Sequence, residues 1–401
     1  MNSLKFAMLT TLYPPYHLGG DALHVYHLSN ELAKRGHEVH VIHSLDAYYL
    51  NRRRPPQGHY PNHQQVVVHT LKSRLGIVAP LICGFVGLSY PLASKALGLI
   101  SEIKPDVIHH HNIVGFGPAV LGAKAPKVLY TAHDYWLICP RNNLLKPNKT
   151  FCYDRRNCIR CSLLWRRPPQ LWRRTAALKK RLWNIDTIIT PSQYVGRTLQ
   201  QAGVSRPITD VPNFVLEPEA VGEAIYDFPY FLFVGLLEEH KGILNLTEAF
   251  RHVKDEAEVE LLIVGTGSLE DKLKRLIAQQ GCQDRIKLLG RIDDKGILAN
   301  LYANAIALVI PSIWPENAPL VALEALACGT PIVVSNQGGL PEIAGKSQPE
   351  LIFKDEDELR NILITVAANR RGQRSAFKQA YRRFYSPESF MERYSELIAR
   401  R

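Results

Sequence analysis

The chain has 401 residues, 46% of them hydrophobic, which suits two or three domains with sizeable cores. Its first residues lack the apolar run and cleavage site of a secretory leader, and its seven cysteines then point to a reducing, cytoplasmic setting. The net charge of +12 is uneven: residues 1–200 hold 26 Lys and Arg against 9 Asp and Glu, residues 201–401 hold 23 against 28. A basic N-terminal half fits nucleic acid or an anionic membrane face.

Residues 5–12 read as a first strand and YPPYHLGGD (13–21) as a Gly-containing loop. Residues 22–35 have helical spacing, with Leu23, Tyr26, Leu28 and Leu32 on one face, and Gly36 ends them before a strand at 38–43. This βαβ opening places Gly19 and Gly20 at a helix N-terminus, where backbone can approach a phosphate or an acceptor. The pattern is not GxGxxG, and a plain tight turn is the alternative. Arg52, Arg53 and Arg54 with Pro55, Pro56 and Pro61 mark an exposed loop before a strand at 66–70. Residues 75–94 are 20 consecutive uncharged positions, long enough to span a bilayer, but they contain Pro80, Pro91 and three glycines. They read instead as a crossover helix, buried or lying at a lipid interface.

PDVIHHH (105–111) is a strand ending in His109, His110 and His111. Neighbouring strand residues face opposite ways, so these three cannot converge on one metal ion. VLYTAHD (128–134) is the next strand, with His133 at the carboxyl end where ligands gather in open α/β sheets; a structural histidine is the alternative. Cys139, Cys152, Cys158 and Cys161 then fall within 23 residues of polar loop. Four thiolates suit structural zinc or, less readily, an iron–sulfur cluster; free thiols are the other reading. Residues 155–181 carry 10 Lys and Arg and no acid, interleaved with Trp165, Leu171, Trp172 and Leu178, with Trp183 just beyond. A solvated basic face, an anionic membrane surface and RNA all fit that pattern, the membrane best. A strand at 187–190 closes the domain and a helix begins at 191–195.

Residues 208–213, Pro218 and Gly222 read as a linker. A second alternating series follows: strands at 230–235, 260–265 and 286–290, helices at 244–253 and 269–280. PSIWPENAPLVALEALACGTP (311–331) then links an apolar strand, 306–310, through a loop to a helix begun near Asn317 and Pro319 and ended at Gly329. A helix N-terminus can hold phosphate, and the carboxylates of Glu316 and Glu324 can accept hydrogen bonds from sugar and ribose hydroxyls. A final helix at 386–397 has a Ser386 cap.

Glu316, seven residues, Glu324, followed by ALACGTPIV and QGGLPEI, resembles the signature of family 4 retaining glycosyltransferases of the GT-B fold. The resemblance is strongest over 231–343 and patchier over 1–215. It implies two Rossmann-like, doubly wound parallel-sheet α/β domains facing a central cleft. The N-terminal acceptor domain would cover 1–212 with a Cys-containing basic insert at about 139–183, the donor domain 213–380, and a last helix, 381–401, would return to the first domain.

By the same resemblance, Glu316, Asn317, Ala318, Leu320, Glu324, Lys241, Gly290, Arg291, Ile292, Gly19 and Gly20 bind the donor. Tyr16, His17, His109, His111 and Asn112 line the acceptor cleft, and His133, Glu316 and Lys241 act at the reacting centre. One position departs from the pattern: where the family carries a phosphate-binding arginine, this chain has Leu236. That leaves Lys241 and the helix after Pro315 to stabilise the leaving group, with His240 as a further candidate.

The activity implied is transfer of a sugar from a UDP-, GDP- or ADP-sugar to a hydroxyl of a glycan or lipid-linked acceptor, as in bacterial envelope polysaccharide or glycolipid synthesis. No catalytic metal or other cofactor is required; a structural zinc on the four cysteines is the metal the chain could carry. A cytoplasmic enzyme, peripheral on the inner face of the cell membrane, is expected, and nucleic acid is not. The rival readings are a sugar-nucleotide epimerase or hydrolase and a non-catalytic sugar-nucleotide-binding membrane scaffold, the latter favoured by Leu236.

Overall fold

The computed structural model describes residues 3–52, 55–56, 58–87, 91–148, 150–154, 157–219, 221–369 and 374–399. Arg53 and Arg54 of the basic loop, positions 88–90 of the apolar stretch, and Arg155 and Arg156 of the basic stretch lie outside them. The chain divides into two compact units, one running to Val211 and joined by the segment from Tyr394, the other running from Pro212 to Arg393. The division falls inside the last helix, Pro387–Ala399.

In the first unit β1 (Lys5–Leu9), β2 (Glu38–Ser44), β3 (Val66–Leu71), β4 (Val107–His110), β5 (Lys127–Thr131), β6 (Thr187–Thr190) and β7 (Ile208–Asp210) form one sheet in the order β3-β2-β1-β4-β5-β6-β7. All pairs are parallel; in the centre Phe6 aligns with Val39 on one side and Val107 on the other. Phe6, Ala7, Met8 and Leu9 are all fully buried, as a parallel strand covered on both faces requires.

The second unit repeats the plan with β8 (Tyr230–Val234), β9 (Glu260–Val264), β10 (Ile286–Gly290), β11 (Ala307–Ile310), β12 (Ile332–Ser335) and β13 (Ile352–Phe353), ordered β10-β9-β8-β11-β12-β13. Alternate residues feed two cores. Leu232, Leu262, Leu308, Ile332 and Val334 pack on one face, and Phe231, Leu261, Ile263, Val309 and Val333 on the other. In each sheet the strand order reverses beside the first strand of the unit, β1 next to β4 and β8 next to β11, and the loops leaving those strands are where an open α/β sheet binds ligands.

Two sequence expectations need correction. Residues 208–210, read as linker, form β7, because Ile208 pairs with Ile188 at the sheet edge. The apolar stretch is not one helix: Val78–Val86 ends at Gly87 in the left-handed region (φ 70°), where a side chain would strike Trp172. A second helix runs Leu92–Ile103. On the first of these helices Ala79, Pro80 and Cys83 are buried, while Val78, Leu81, Ile82, Phe85 and Val86 are exposed by 40–55%. Among the described residues, no helix is long and apolar enough to cross a membrane.

Candidate functional site

The loop between β11 and the helix Leu320–Ala327 carries the tightest polar cluster of the second unit. Lys241 Nζ lies 2.6 Å from Glu316 Oε1, and Ser312 Oγ donates to the same oxygen at 2.7 Å. Ser335 Oγ donates to the Ser312 carbonyl, and the Gly339 amide donates to the Glu316 carbonyl at 2.7 Å. Glu316 is thereby held by both its backbone and its side chain while only 5% exposed. Two glycines permit this approach. A side chain on Gly242 (φ 71°) would collide with the Pro311 carbonyl, and one on Gly338 (φ 64°) with the Glu316 backbone.

The helix Leu320–Ala327 starts after Pro319 with no side-chain cap, so its first amides have no intrahelical acceptor. Asn317, Ala318 and Leu320 stand at this end. Glu324 lies further along on the same helix, where Tyr302 OH donates to Glu324 Oε2 at 3.0 Å. Burial raises the Glu324 carboxyl above its usual range, opposed by the Tyr302 hydrogen bond and the Lys295 charge. Gly290 closes β10 at an irregularity in its pairing with β9, with φ 69°. The Arg291 side chain turns outward to pair with Asp293 at 2.7 Å, so at this position the backbone rather than the guanidinium is available for a base.

Leu236 is 59% exposed in the loop after β8; no core claims the position where the family pattern has arginine. His240 does not replace that cation. Burial first, then the Lys241 charge, holds its pKa below the usual value, so it is neutral near pH 7.

In the first unit, the end of β4, the loops after β4 and β5 and the helix Gly20–Lys34 gather a histidine cluster. His111 Nδ1 and His133 Nε2 are 3.0 Å apart, His24 stands edge-on to His133 with ring centroids 5.2 Å apart, and the His109 and His111 rings lie 3.9 Å apart. His109 and His111 share a strand face as the two-residue period requires. His110, pointing the other way, is buried with neither ring nitrogen hydrogen-bonded. Burial lowers the pKa of every member, to about 4 for His133, where Asp21 pulls the other way, so the rings are neutral near pH 7. Among the described residues no three His, Cys, Asp or Glu side chains form a ready-made metal-ligand set.

Asn112 ties the β4 loop to the first helix. Its amide donates to Asp21 Oδ2 at 3.1 Å and its carbonyl oxygen accepts from Thr11 Oγ1 at 3.1 Å. Gly19 and Gly20 are exposed where that helix, Gly20–Lys34, begins. Tyr16 stacks on His43 with centroids 5.9 Å apart, and His17 meets Tyr60 edge-on at 5.1 Å.

The expected acceptor role of His109 needs correction. It is fully buried and both nitrogens are engaged, by Tyr394 OH at 2.8 Å and Thr131 Oγ1 at 2.7 Å, so it presents no surface. His111, 1% exposed, is likewise enclosed, meeting His133 through Nδ1 and the His109 ring at 3.9 Å.

Sequence reading passed over His24, Asp21, Ser312 and Tyr302. His24 and Asp21 lie on the first helix beside residues of β4 and β5, and Tyr302 reaches Glu324 from the helix Lys295–Asn304. No local pattern marks them. The four cysteines of the insert, none of them in a disulfide, are half-buried around one cavity.

The sequence matches two family profiles that together span nearly the whole chain. "Glycosyltransferase Family 4" matches residues 18–215 and "Glycosyl transferases group 1" matches residues 220–396. An uncharacterized glycosyltransferase of Methanocaldococcus jannaschii is 29% identical over 346 residues, 85% of this chain and 82% of that protein. Among solved structures, sucrose-phosphate synthase from Thermosynechococcus elongatus superposes with a TM-score of 0.72 at 19% identity, covering 99% of this chain and 98% of that one. HepE from Anabaena, solved in complex with UDP, superposes with a TM-score of 0.68 at 19% identity, covering 99% and 100%.

Proposed function

The chain belongs to the family 4 glycosyltransferases, with the two parallel α/β units of the GT-B fold, and from that premise we propose that it moves a sugar from a nucleoside diphosphate donor to a hydroxyl acceptor with retention of anomeric configuration. The observation that carries this reading is the buried Glu316, gripped by Lys241 and Ser312 at the mouth of an uncapped helix. A carboxylate, an ammonium from the neighbouring loop and the amides of a helix start match the three parts of such a donor: sugar hydroxyls, diphosphate charge and phosphate oxygens.

In this reading Lys241 and the amides of Asn317, Ala318 and Leu320 take the diphosphate, and Glu316 accepts from hydroxyls of the transferred sugar. Glu324, steadied by Tyr302, accepts from the ribose, and the backbone of Gly290, Arg291 and Ile292 holds the base. His133, neutral, donates an N–H toward the donor, and Gly19 and Gly20 bring backbone to it. Tyr16, His17 and Asn112 remain the acceptor-side candidates. The bond from the anomeric carbon to the leaving phosphate oxygen breaks as the acceptor oxygen attacks from the same face. The acceptor proton passes to that phosphate oxygen, so no protein base is required. The protein contributes positioning and charge stabilisation. HepE, of the same fold, has been solved with UDP and with UDP-glucose, which makes UDP the first nucleotide to try.

A lipid-linked acceptor reached from a membrane surface is the second part of the reading. One observation favours it: the helix Val78–Val86, whose Val78, Leu81, Ile82, Phe85 and Val86 are exposed, packs beside the 3-10 turn Leu171–Arg174, with exposed Leu163, Leu164, Arg166, Arg167, Lys179 and Lys180 nearby in sequence. Apolar bodies among cations with no acid suit an anionic leaflet. Flotation with anionic vesicles at low salt tests it. Phe85→Asp should abolish co-flotation, and a wild-type protein that stays with the soluble fraction would remove the membrane from the reading.

The donor assignment is tested by thermal shift with UDP, GDP, ADP and their sugars, using Glu324→Ala as control. Stabilisation by one nucleotide series, lost in the variant, is the expected result. No shift with any of them would defeat it, and donor consumption with no acceptor present would favour a hydrolase.

A further inference from the structure

The cysteine insert plays no part in the reaction proposed above, yet it is built with care. Cys139 opens a turn in which the Asn142 amide donates to its carbonyl, with Asn142 in the left-handed region at φ 67°. A small hairpin follows. Leu145 bridges Phe151, the Lys146 amide donates to the Thr150 carbonyl, and the Cys152 amide donates to the Leu144 carbonyl. Cys158 and Cys161 open the helix Cys158–Leu164, whose N-cap Asn157 is again left-handed at φ 58°. These three pieces bring all four thiols to the wall of one cavity of about 210 Å³, shared with Arg141 and Asp154.

The second observation concerns charge. Arg173 has Nη2 shut off from solvent with no hydrogen-bond partner, and among the described residues it forms no ion pair with a carboxylate. Its Nη1 donates to the Trp136 carbonyl at 2.6 Å, and its guanidinium lies over the rings of Trp136 and Trp172. Its charge acts on Cys139 and Cys158 as well as on Asp134, and Arg141, which lines the cavity itself, acts on Cys139 and Cys161. Two guanidinium groups thus stand by a cavity walled by four thiols, and a cation with a polar atom shut away from solvent is stabilised by added negative charge beside it.

We propose that Cys139, Cys152, Cys158 and Cys161 bind one Zn²⁺ as four thiolates. Binding releases one proton from each thiol to solvent and leaves a site of net charge −2, which Arg141 and Arg173 balance. As placed, no three of the thiols are closed into a ligand set. The site therefore forms by rotation of the cysteine side chains into the cavity they already line. The insert packs directly on the chain after His133: the Cys139 amide donates to the Tyr135 carbonyl, and the Tyr135 amide to the Asn142 carbonyl. A zinc ion here fastens the insert to the segment that carries His133 and Asp134.

The test is metal content of the intact chain purified with zinc present, together with the absorption spectrum after cobalt exchange. The expected result is about one zinc per chain and an intense thiolate-to-cobalt charge-transfer band. The double variant Cys158→Ser, Cys161→Ser should fall below about a tenth of an equivalent, while Cys282→Ser, buried in the other unit, should keep the metal. The wild-type measurement decides the matter even where the double variant fails to fold. Wild-type chain without zinc, iron in its place, disulfides among the four cysteines, or zinc retained by the double variant would each overturn the proposal. None of these results depends on sugar transfer.

Discussion

Lys241 Nζ and Ser312 Oγ converge on one oxygen of Glu316, at 2.6 and 2.7 Å, so a cation from the loop after β8 and a hydroxyl from the loop after β11 grip the same carboxylate. Lys241→Met removes the cation and leaves a buried carboxylate with its serine partner alone. Unfolding by urea should show a loss of about 1–3 kcal/mol, because a buried charge without its partner keeps its desolvation cost. If Lys241 also meets the leaving diphosphate, kcat/KM should fall by about 10²–10³. Lys241→Arg should recover the stability more fully than the rate. Equal recovery of both would mean that the lysine serves the fold only.

Tyr302→Phe keeps the ring and deletes the donor to Glu324. Nucleotide affinity, read by titration calorimetry, should weaken about fivefold, the worth of one hydrogen bond of roughly 1 kcal/mol. Since burial raises the Glu324 carboxyl, affinity in the wild type should begin to fall on acidification at a higher pH than an ordinary glutamate would dictate. An affinity flat across that range would remove Glu324 from the ribose.

Leu236 stands exposed in the loop after β8 and supports no core, so Leu236→Arg should fold without loss. A guanidinium there adds charge for the leaving phosphate, and kcat/KM should rise by about tenfold or more, equivalent to about 1.4 kcal/mol of transition-state stabilisation. An unchanged or lower rate in steady-state assays would show that the phosphates do not pass this position.

The buried histidines of the first unit and Asp134 give opposite pH signatures. His43 and His133, with pKa values lowered to about 4, and His110, lowered to about 3, are held neutral by burial. Their contribution to stability is complete above the ordinary histidine value and is lost as pH falls through about 4. Asp134 runs the other way. Burial raises it to about 7, against the hydrogen bond from the Trp136 amide, so its contribution is present below the ordinary carboxylate value and lost as pH rises through about 7. Melting temperatures across this range should show the steeper loss on the acid side, where several histidines act together. Asp134→Asn should flatten the alkaline side alone; an unchanged alkaline limb would mean that Asp134 is ionised in the fold throughout.

The strands were legible because each is a short, nearly continuous apolar run between polar turns. Tyr230–Val234 and Ala307–Ile310 lie within a residue or two of where the pattern places them. The edge strand Ile208–Asp210 was not, since a three-residue strand among polar neighbours carries no period and exists only by pairing with β6. Similarly, the break at Gly87 was hidden in an unbroken apolar stretch, because the Trp172 that crowds it lies far along the chain.

The alternation of strands and helices and the strand–loop–helix unit around Glu316 and Glu324 follow from the residues in chain order, since they depend on local spacing, capping and burial. Which groups those residues meet follows from the fold alone. Lys241 finds Glu316 across 75 positions, and Tyr302 finds Glu324 through the packing of two helices. His109, itself an acceptor-cleft candidate by sequence, is turned inward to Tyr394 and Thr131. Charge pairing and burial are properties of neighbours in space, and the folding of two parallel sheets makes neighbours of residues that the sequence keeps far apart.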